Sequence, residues 1–300
     1  MELGMIGLGK MGYNLVLNLL SHDHQVVVND ADHSQIKKIA DEGAVPAFSL
    51  KEVVEKLAKP RTVWVMVPAG EITDQVIEEL SDMMDEGDTI IDGGNSNYKH
   101  TLEIKGKLDE KKINFVDAGT SGGVDGARYG ACFMVGGPDD VMKKLEPVFV
   151  DVAVQNGFIH TGETGSGHYL KMIHNGIEYG MMQSIAEGFD VLEKCQFDYD
   201  YEKVANVWNH GSVIRSWLME LTENAFSKDP KLDEIAGIVN SSGEGKWTVE
   251  AALQEQVATP VIALSLMMRY RSQEQDTFSG KLLSALRNEF GGHEVVKANK

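Results

Sequence analysis

Glu2-Leu3-Gly4-Met5-Ile6-Gly7-Leu8-Gly9-Lys10-Met11-Gly12 is the stretch that decides the fold. Its first five residues read as a short buried strand, and an apolar-periodic helix follows to about Leu20. Between the two sits G-x-G-x-x-G, in the strand-to-helix context that gives the motif meaning. Gly7 permits the tight turn, Gly9 lets a pyrophosphate come close to the backbone, and Gly12 lets helix pack on strand. The helix N-terminus adds free N–H groups and a positive dipole end. Gly7, Gly9, Lys10, Met11 and Gly12 are therefore the expected dinucleotide turn.

The second strand, Gln25–Asp30, ends in a carboxylate 18 residues after Gly12. Asp30 stands where an acid accepts hydrogen bonds from the adenosine ribose, although a solvated strand-end aspartate is the other reading. A carboxylate there repels a 2′-phosphate, and no arginine follows in Ala31-Asp32-His33-Ser34. NAD is expected in preference to NADP, which Lys37 or Lys38 could still admit.

Strands continue at Arg61–Val67, Asp88–Asp92, Ile113–Asp117 and Ala131–Val135, with a late edge strand at Phe158–His160. Their alternation with helical stretches predicts an α/β Rossmann fold, a doubly wound parallel sheet. Ligands of such sheets lie outside the carboxyl ends of the strands. Val67, Pro68, Ala69 and Asn95 are the further cofactor candidates there. Asn95 and Ser121 are the polar groups these strand ends present and are candidate site groups, though singly such residues are more often turn formers.

After Gly165 the strand signal fades, and helices are expected near Tyr201–Asn209, Ser216–Phe226, Trp247–Gln256, Val261–Arg271 and Thr277–Phe290. The chain thus divides into a nucleotide-binding domain, 1–163, and an all-helical domain, 164–300. The segment opening the second half reads as one helix to about Cys195. Lys171, Asn175 and Glu178 follow i, i+4, i+7 spacing within it, which places them within roughly 60° on one face. They are either an internal Lys–Glu pair or an acid/base site lining a cavity. Gly176, Gly180 and Gly188 in the same helix suggest close packing or backbone approach to a cofactor.

The 300 residues are 42% hydrophobic and 25% charged, with a formal net charge of −18. That charge argues against nucleic acid and anionic membranes as partners, and an anionic substrate would need a local cationic pocket. No apolar run is long enough to span a membrane, and no signal peptide precedes the first strand. Cys132 and Cys195 suggest reduced thiols in a cytoplasmic setting, and no cluster has metal-ligand spacing.

Several motifs together resemble the 6-phosphogluconate dehydrogenase family, in its short NAD-type branch within the β-hydroxyacid dehydrogenases. They are Gly7–Gly12, Gly93-Gly94-Asn95-Ser96-Asn97-Tyr98, Ser121–Gly130, Lys171–Gly180, Gly245-Lys246-Trp247-Thr248 and Arg287-Asn288-Glu289-Phe290-Gly291-Gly292-His293. The resemblance implies oxidative decarboxylation of 6-phospho-D-gluconate to D-ribulose 5-phosphate and CO2. Lys171 would be the general base and then acid, and Glu178 would protonate C1 of the enediol. Asn175 and His174 would hold substrate and lysine, with Ser121, Gly122 and Gly123 at the carboxylate. A neutral Lys171 requires its pKa lowered from about 10.4 by burial and cationic neighbours. Tyr179, Arg269 or Arg271, Arg287 and His293 would grip the phosphate, and counting from Pro260 favours Arg271. The last two belong to a tail that reaches a partner subunit in the family, implying a homodimer or homotetramer. One departure stands out, since Ser242 and Glu244 replace the family's usual lysine and threonine before Lys246-Trp247-Thr248. The alternative is a β-hydroxyacid dehydrogenase acting on a small unphosphorylated 3-hydroxy acid.

Overall fold

The computed structural model describes residues 1–297; residues 298–300, the end of the expected second domain, lie outside the described residues. Two compact units divide the chain between His174 and Asn175. The first unit contains β1 (Glu2–Ile6), α1 (Lys10–Ser21), β2 (Gln25–Asn29), α2 (His33–Ala40), β3 (Val45–Pro46), α3 (Leu50–Lys56), β4 (Thr62–Val65), α4 (Glu71–Met83), β5 (Thr89–Asp92), α5 (Tyr98–Glu110), β6 (Asn114–Ser121), α6 (Gly123–Tyr129), β7 (Ala131–Gly136), α7 (Asp139–Val152) and β8 (Ala153–Gly162). It ends within α8 (Ser166–Glu193), which continues into the second unit.

The strands form one sheet in the order β3-β2-β1-β4-β5-β6-β7-β8. From β3 to β6 every pair is parallel, which is the doubly wound arrangement. Side chains alternate between its two faces. Met5, Trp64, Ile91 and Val116 pack into one core, while Ile6, Val63, Val65, Ile90 and Phe115 pack into another. A parallel sheet buried on both faces needs such nearly continuous apolar strands.

Four features depart from the expected strand pattern. The two-residue β3 carries too little periodicity to be read from sequence. Ala118–Ser121, beyond the expected strand Ile113–Asp117, continues β6, because β7 pairs with it from Asp117↔Gly136 to Ser121↔Cys132. That pair is antiparallel, so the sheet is mostly rather than wholly parallel. The physical cause is the short link through α6, since a parallel return needs a crossover of about a dozen residues or more. β8 then pairs in parallel with β7 and is longer than the expected edge strand.

The second unit contains the rest of α8 with α9 (Tyr201–Asn209), α10 (Trp217–Lys228), α11 (Glu244–Gln254), α12 (Pro260–Ser272) and α13 (Phe278–Gly291). Phe189, Tyr201, Ala205, Met219 and Phe226 form a buried cluster there, tying α8 to α9 and α10. Of the three glycines inside α8, Gly176 packs on Thr248 and Gly180 on Val261, where an added Cβ would lie 2.6 and 3.2 Å from its neighbours. Gly188 faces open space, so close packing does not account for it.

Candidate functional site

In the first unit, the turn from β1 to α1 is built around its glycines. Gly7 has φ +95°, and a Cβ there would lie 2.5 Å from the Met66 carbonyl oxygen. A Cβ on Gly12 would lie 2.0 Å from the Gly7 carbonyl oxygen, so α1 could not seat against β1. Gly9, the residue before α1, has nothing within 4 Å of its Cβ position. Two glycines are thus demanded by the fold, and the third leaves space over the helix N-terminus. Lys10 and Met11 open α1 beside it.

Asp30 stands at the end of β2, where its carboxylate accepts from Leu8 N (2.6 Å) and Asp32 N (2.7 Å). These bonds fix its position and leave lone pairs for a ligand, because a carboxylate can accept about four hydrogen bonds. A cavity of about 450 Å³ adjoins it, lined by Gly9, Lys10, Tyr13, Asp30, Asp32 and Lys38 among others. Lys38 lies over the Tyr13 ring, 4.8 Å from its centroid. Open backbone at a helix N-terminus, with a fixed acid beside it, suits a dinucleotide's pyrophosphate and ribose.

Val67, Pro68 and Ala69 follow β4, and Asn95 follows β5, at the same carboxyl edge of the sheet. Asn95 adopts φ +56°, and its side-chain carbonyl accepts from Thr120 N at 2.9 Å. The amide therefore also pins the loop after β5 to β6. Gly122 (φ +121°) and Gly123 (φ +62°) turn the chain from Ser121 into α6.

The strand β6 and the start of α8 meet along a line of three contacts. Asp117 accepts from Gly165 N and His168 N, each at 2.6 Å. Gly119 faces Lys171, and an added Cβ would lie 2.5 Å from the lysine Cβ. Ser121 Oγ lies 3.3 Å from His174 Nε2. Residues at i, i+2 and i+4 of a strand face thus meet residues at i, i+3 and i+6 of a helix. Gly167 lets the elements close up, since its Cβ would lie 2.6 Å from the Asp117 carbonyl oxygen. Lys171 is buried there, at 5% exposure. Burial also pushes the Asp117 carboxyl up, against the hydrogen bonds and the nearby His168 that favour its charged form. Thr101 Oγ1 lies 2.9 Å from His168 Nδ1. Asp117, Gly119, Gly167 and His168 were not singled out from sequence; the two-residue spacing Asp117-Gly119-Ser121 was the available signal.

Asn175 and Glu178 lie farther along α8, in the second unit. Tyr179 is buried there, its hydroxyl accepting from Ser242 N at 3.2 Å and lying 3.3 Å from Ser242 Oγ. Ser242 Oγ donates in turn to the buried Glu244 carboxylate. The Arg269 guanidinium stacks on the Tyr179 ring at 3.4 Å, while its Nη1 donates to the Asn240 carbonyl. Arg271 instead donates to the Glu274 carbonyl. Of the two arginines, Arg269 is the one placed with Tyr179. Arg287 and His293 line a separate cavity of about 620 Å³ with Leu283, Ser284 and Glu294. Among the described residues, no group of three or more His, Cys, Asp or Glu could hold a metal, and no helix is long and apolar enough to cross a membrane.

Comparison with known proteins agrees with this architecture. Residues 2–167 match the NAD binding domain of 6-phosphogluconate dehydrogenase, and residues 167–279 match the 6-phosphogluconate dehydrogenase C-terminal domain. YqeC of Bacillus subtilis, provisionally named a 6-phosphogluconate dehydrogenase, is 58% identical over 297 residues, 99% of this chain and 100% of that protein. The NAD(+)-dependent, decarboxylating 6-phosphogluconate dehydrogenase of Haloferax volcanii is 42% identical over 299 residues, covering 99% of each. The solved 6-phosphogluconate dehydrogenase of Plasmodium falciparum superposes with a TM-score of 0.83 at 31% identity, over 100% of this chain and 67% of that one. With both halves matched and relatives aligned end to end, the chain belongs to the 6-phosphogluconate dehydrogenase family of oxidoreductases.

Proposed function

We propose that the protein oxidatively decarboxylates 6-phospho-D-gluconate to D-ribulose 5-phosphate and CO2, using NAD. The observation that carries this reading is Lys171, buried against Gly119 and sharing one stripe of α8 with Asn175 and Glu178. A buried amine is biased toward its neutral form, as a base requires. NAD, when bound, supplies the hydride acceptor. Lys171 takes the proton of the C3 hydroxyl and returns it to the C3 oxygen of the 3-keto acid as CO2 leaves. Glu178 then protonates C1 of the resulting enediol. Ser121, Gly122 and Gly123 receive the substrate carboxylate, and His174 and Asn175 orient substrate and amine.

The residues at the β1–α1 turn hold the dinucleotide, with Val67, Pro68, Ala69 and Asn95 as further contacts. Asp30, fixed by two backbone N–H groups, favours the free ribose of NAD over a 2′-phosphate. The name of the Haloferax volcanii relative specifies NAD, whereas the Plasmodium falciparum enzyme is described with NADP+. Tyr179 and Arg269 grip the phosphate together with Arg287 and His293. Because the last two line a cavity of their own, we assign them to the site of a second copy, in a homodimer or homotetramer.

The buried Glu244 beside Ser242 and Tyr179 favours a second reading, a small unphosphorylated 3-hydroxy acid as substrate. Initial rates with 6-phosphogluconate, compared for NAD and NADP, separate these readings. NADH and CO2 in equal amounts are expected, with NAD the better cofactor. No turnover of 6-phosphogluconate alongside oxidation of 3-hydroxyisobutyrate would replace the first reading by the second.

The glycine turn supplies a paired prediction. Gly12→Ala should lower Tm by several degrees and weaken NAD binding, because its methyl meets backbone. Gly9→Ala should leave Tm within about 2 °C of the parent yet weaken NAD binding about tenfold or more, because its methyl fills space kept for pyrophosphate. Calorimetric titration with NAD and a thermal melt check both; undiminished NAD binding by Gly9→Ala would remove the pyrophosphate from this turn.

A further inference from the structure

We propose that Asp117 is a positioning residue for Lys171, clamping the first turn of α8 to β6 so that the amine is set in place and in field. The inference rests on Lys171 being the base of the proposed reaction. The clamp is specific. Both oxygens of a fully buried carboxylate accept, one from Gly165 N and the other from His168 N, at 2.6 Å. Those N–H groups belong to the helix N-terminus, which has no intrahelical acceptors for them and carries partial positive charge. A carboxylate therefore satisfies two donors and the dipole together. His168 lies three residues before Lys171 on the same face of α8, and Gly119 lies two after Asp117 on the same face of β6. Moving the clamp would move the point at which Lys171 meets Gly119.

The same carboxylate acts through space. The titratable groups facing this region are His168 and His174 from α8, Asp117 from β6 and Asp92 from β5. Thr101 from α5 and Ser121 from β6 contribute neutral hydroxyls. With both oxygens accepting from backbone N–H groups, which favour its charged form against the upward push of burial, Asp117 as the anion favours the protonated form of Lys171, while the helix N-terminus favours the neutral form. Asp117 thus keeps the amine able to act as acid after it has acted as base. Removing its charge must shift the amine toward the neutral form and move the acidic limb of the kcat–pH profile to lower pH.

The test uses full-length Asp117→Asn and Gly119→Ala beside the parent and Lys171→Met. In Asp117→Asn one oxygen is replaced by an amide that faces a donor, so kcat should fall at least about tenfold. Its acidic limb should move down by about one pH unit, with the NAD dissociation constant kept within about twofold. Gly119→Ala leaves every charge in place but puts a methyl 2.5 Å from the Lys171 Cβ and 3.0 Å from the Gly167 carbonyl oxygen. It should lower kcat at least about tenfold with the limb unmoved. A limb at the parent's pH in Asp117→Asn overturns the proposal, whatever happens to kcat. If Asp117→Asn does not bind NAD, Gly119→Ala decides, and turnover within twofold of the parent overturns the proposal. If Lys171→Met turns over normally, the base assignment itself has failed; if it is inactive and the limb is unmoved, only the role of Asp117 has failed.

Discussion

Lys171→Met should lower kcat for 6-phosphogluconate by at least about 10²-fold while NAD affinity stays within about twofold. Methionine keeps much of the lysine's length and tolerates a buried setting, so packing against Gly119 is disturbed little. The substitution removes the amine and with it the proposed acceptor for the C3 hydroxyl proton. The dinucleotide turn lies at β1–α1, on different residues from the Lys171 segment, so cofactor binding should be spared. Steady-state formation of NADH and calorimetric titration with NAD measure the two quantities. Turnover equal to the parent's would leave Lys171 as a structural residue and remove the base from the proposed reaction.

Arg287→Ala should raise KM for 6-phosphogluconate by about 10²-fold and change kcat by less than about threefold. A charge-assisted, bidentate contact to phosphate contributes about 2–3 kcal/mol, and each 1.4 kcal/mol is tenfold in affinity. Arg287 and His293 line one cavity, so Arg287 would act with a second cationic or hydrogen-bonding partner in reach of the same anion. The loss should be read in KM because the phosphate is remote from the reacting carbons and is bound alike before and during the reaction. A small unphosphorylated 3-hydroxy acid, tried as control, should show no change of KM. An unchanged KM for 6-phosphogluconate would place the phosphate elsewhere and leave Tyr179 and Arg269 as the remaining anion site.

Much of the first unit was legible because its signals are local. The strand, glycine turn and helix of residues 2–20 follow from a short apolar run that gives way, at three glycines, to a helical period, and the turn is built as read. Helical segments of the second half such as α9 were legible for the same reason, since they carry a local apolar period. The reversal at β7 was not legible, because an antiparallel strand and a parallel one have similar compositions. Only the length of the connection through α6 distinguishes them.

Of the candidate site, the sequence by itself determined the chemistry available: a glycine turn for phosphates, an acid after β2, and an amine, amide and carboxylate at helical spacing on α8. It also determined family membership, because the motifs recur in order along almost the whole chain. The tertiary structure alone decided what each of these groups faces. Asp117 meets His168, Gly119 meets Lys171 and Ser121 meets His174 across about fifty residues of intervening chain. In the same way Arg269, and not Arg271, reaches Tyr179. Periodicity states which face of an element is apolar, but which residue of another element lies opposite depends on close packing between distant segments.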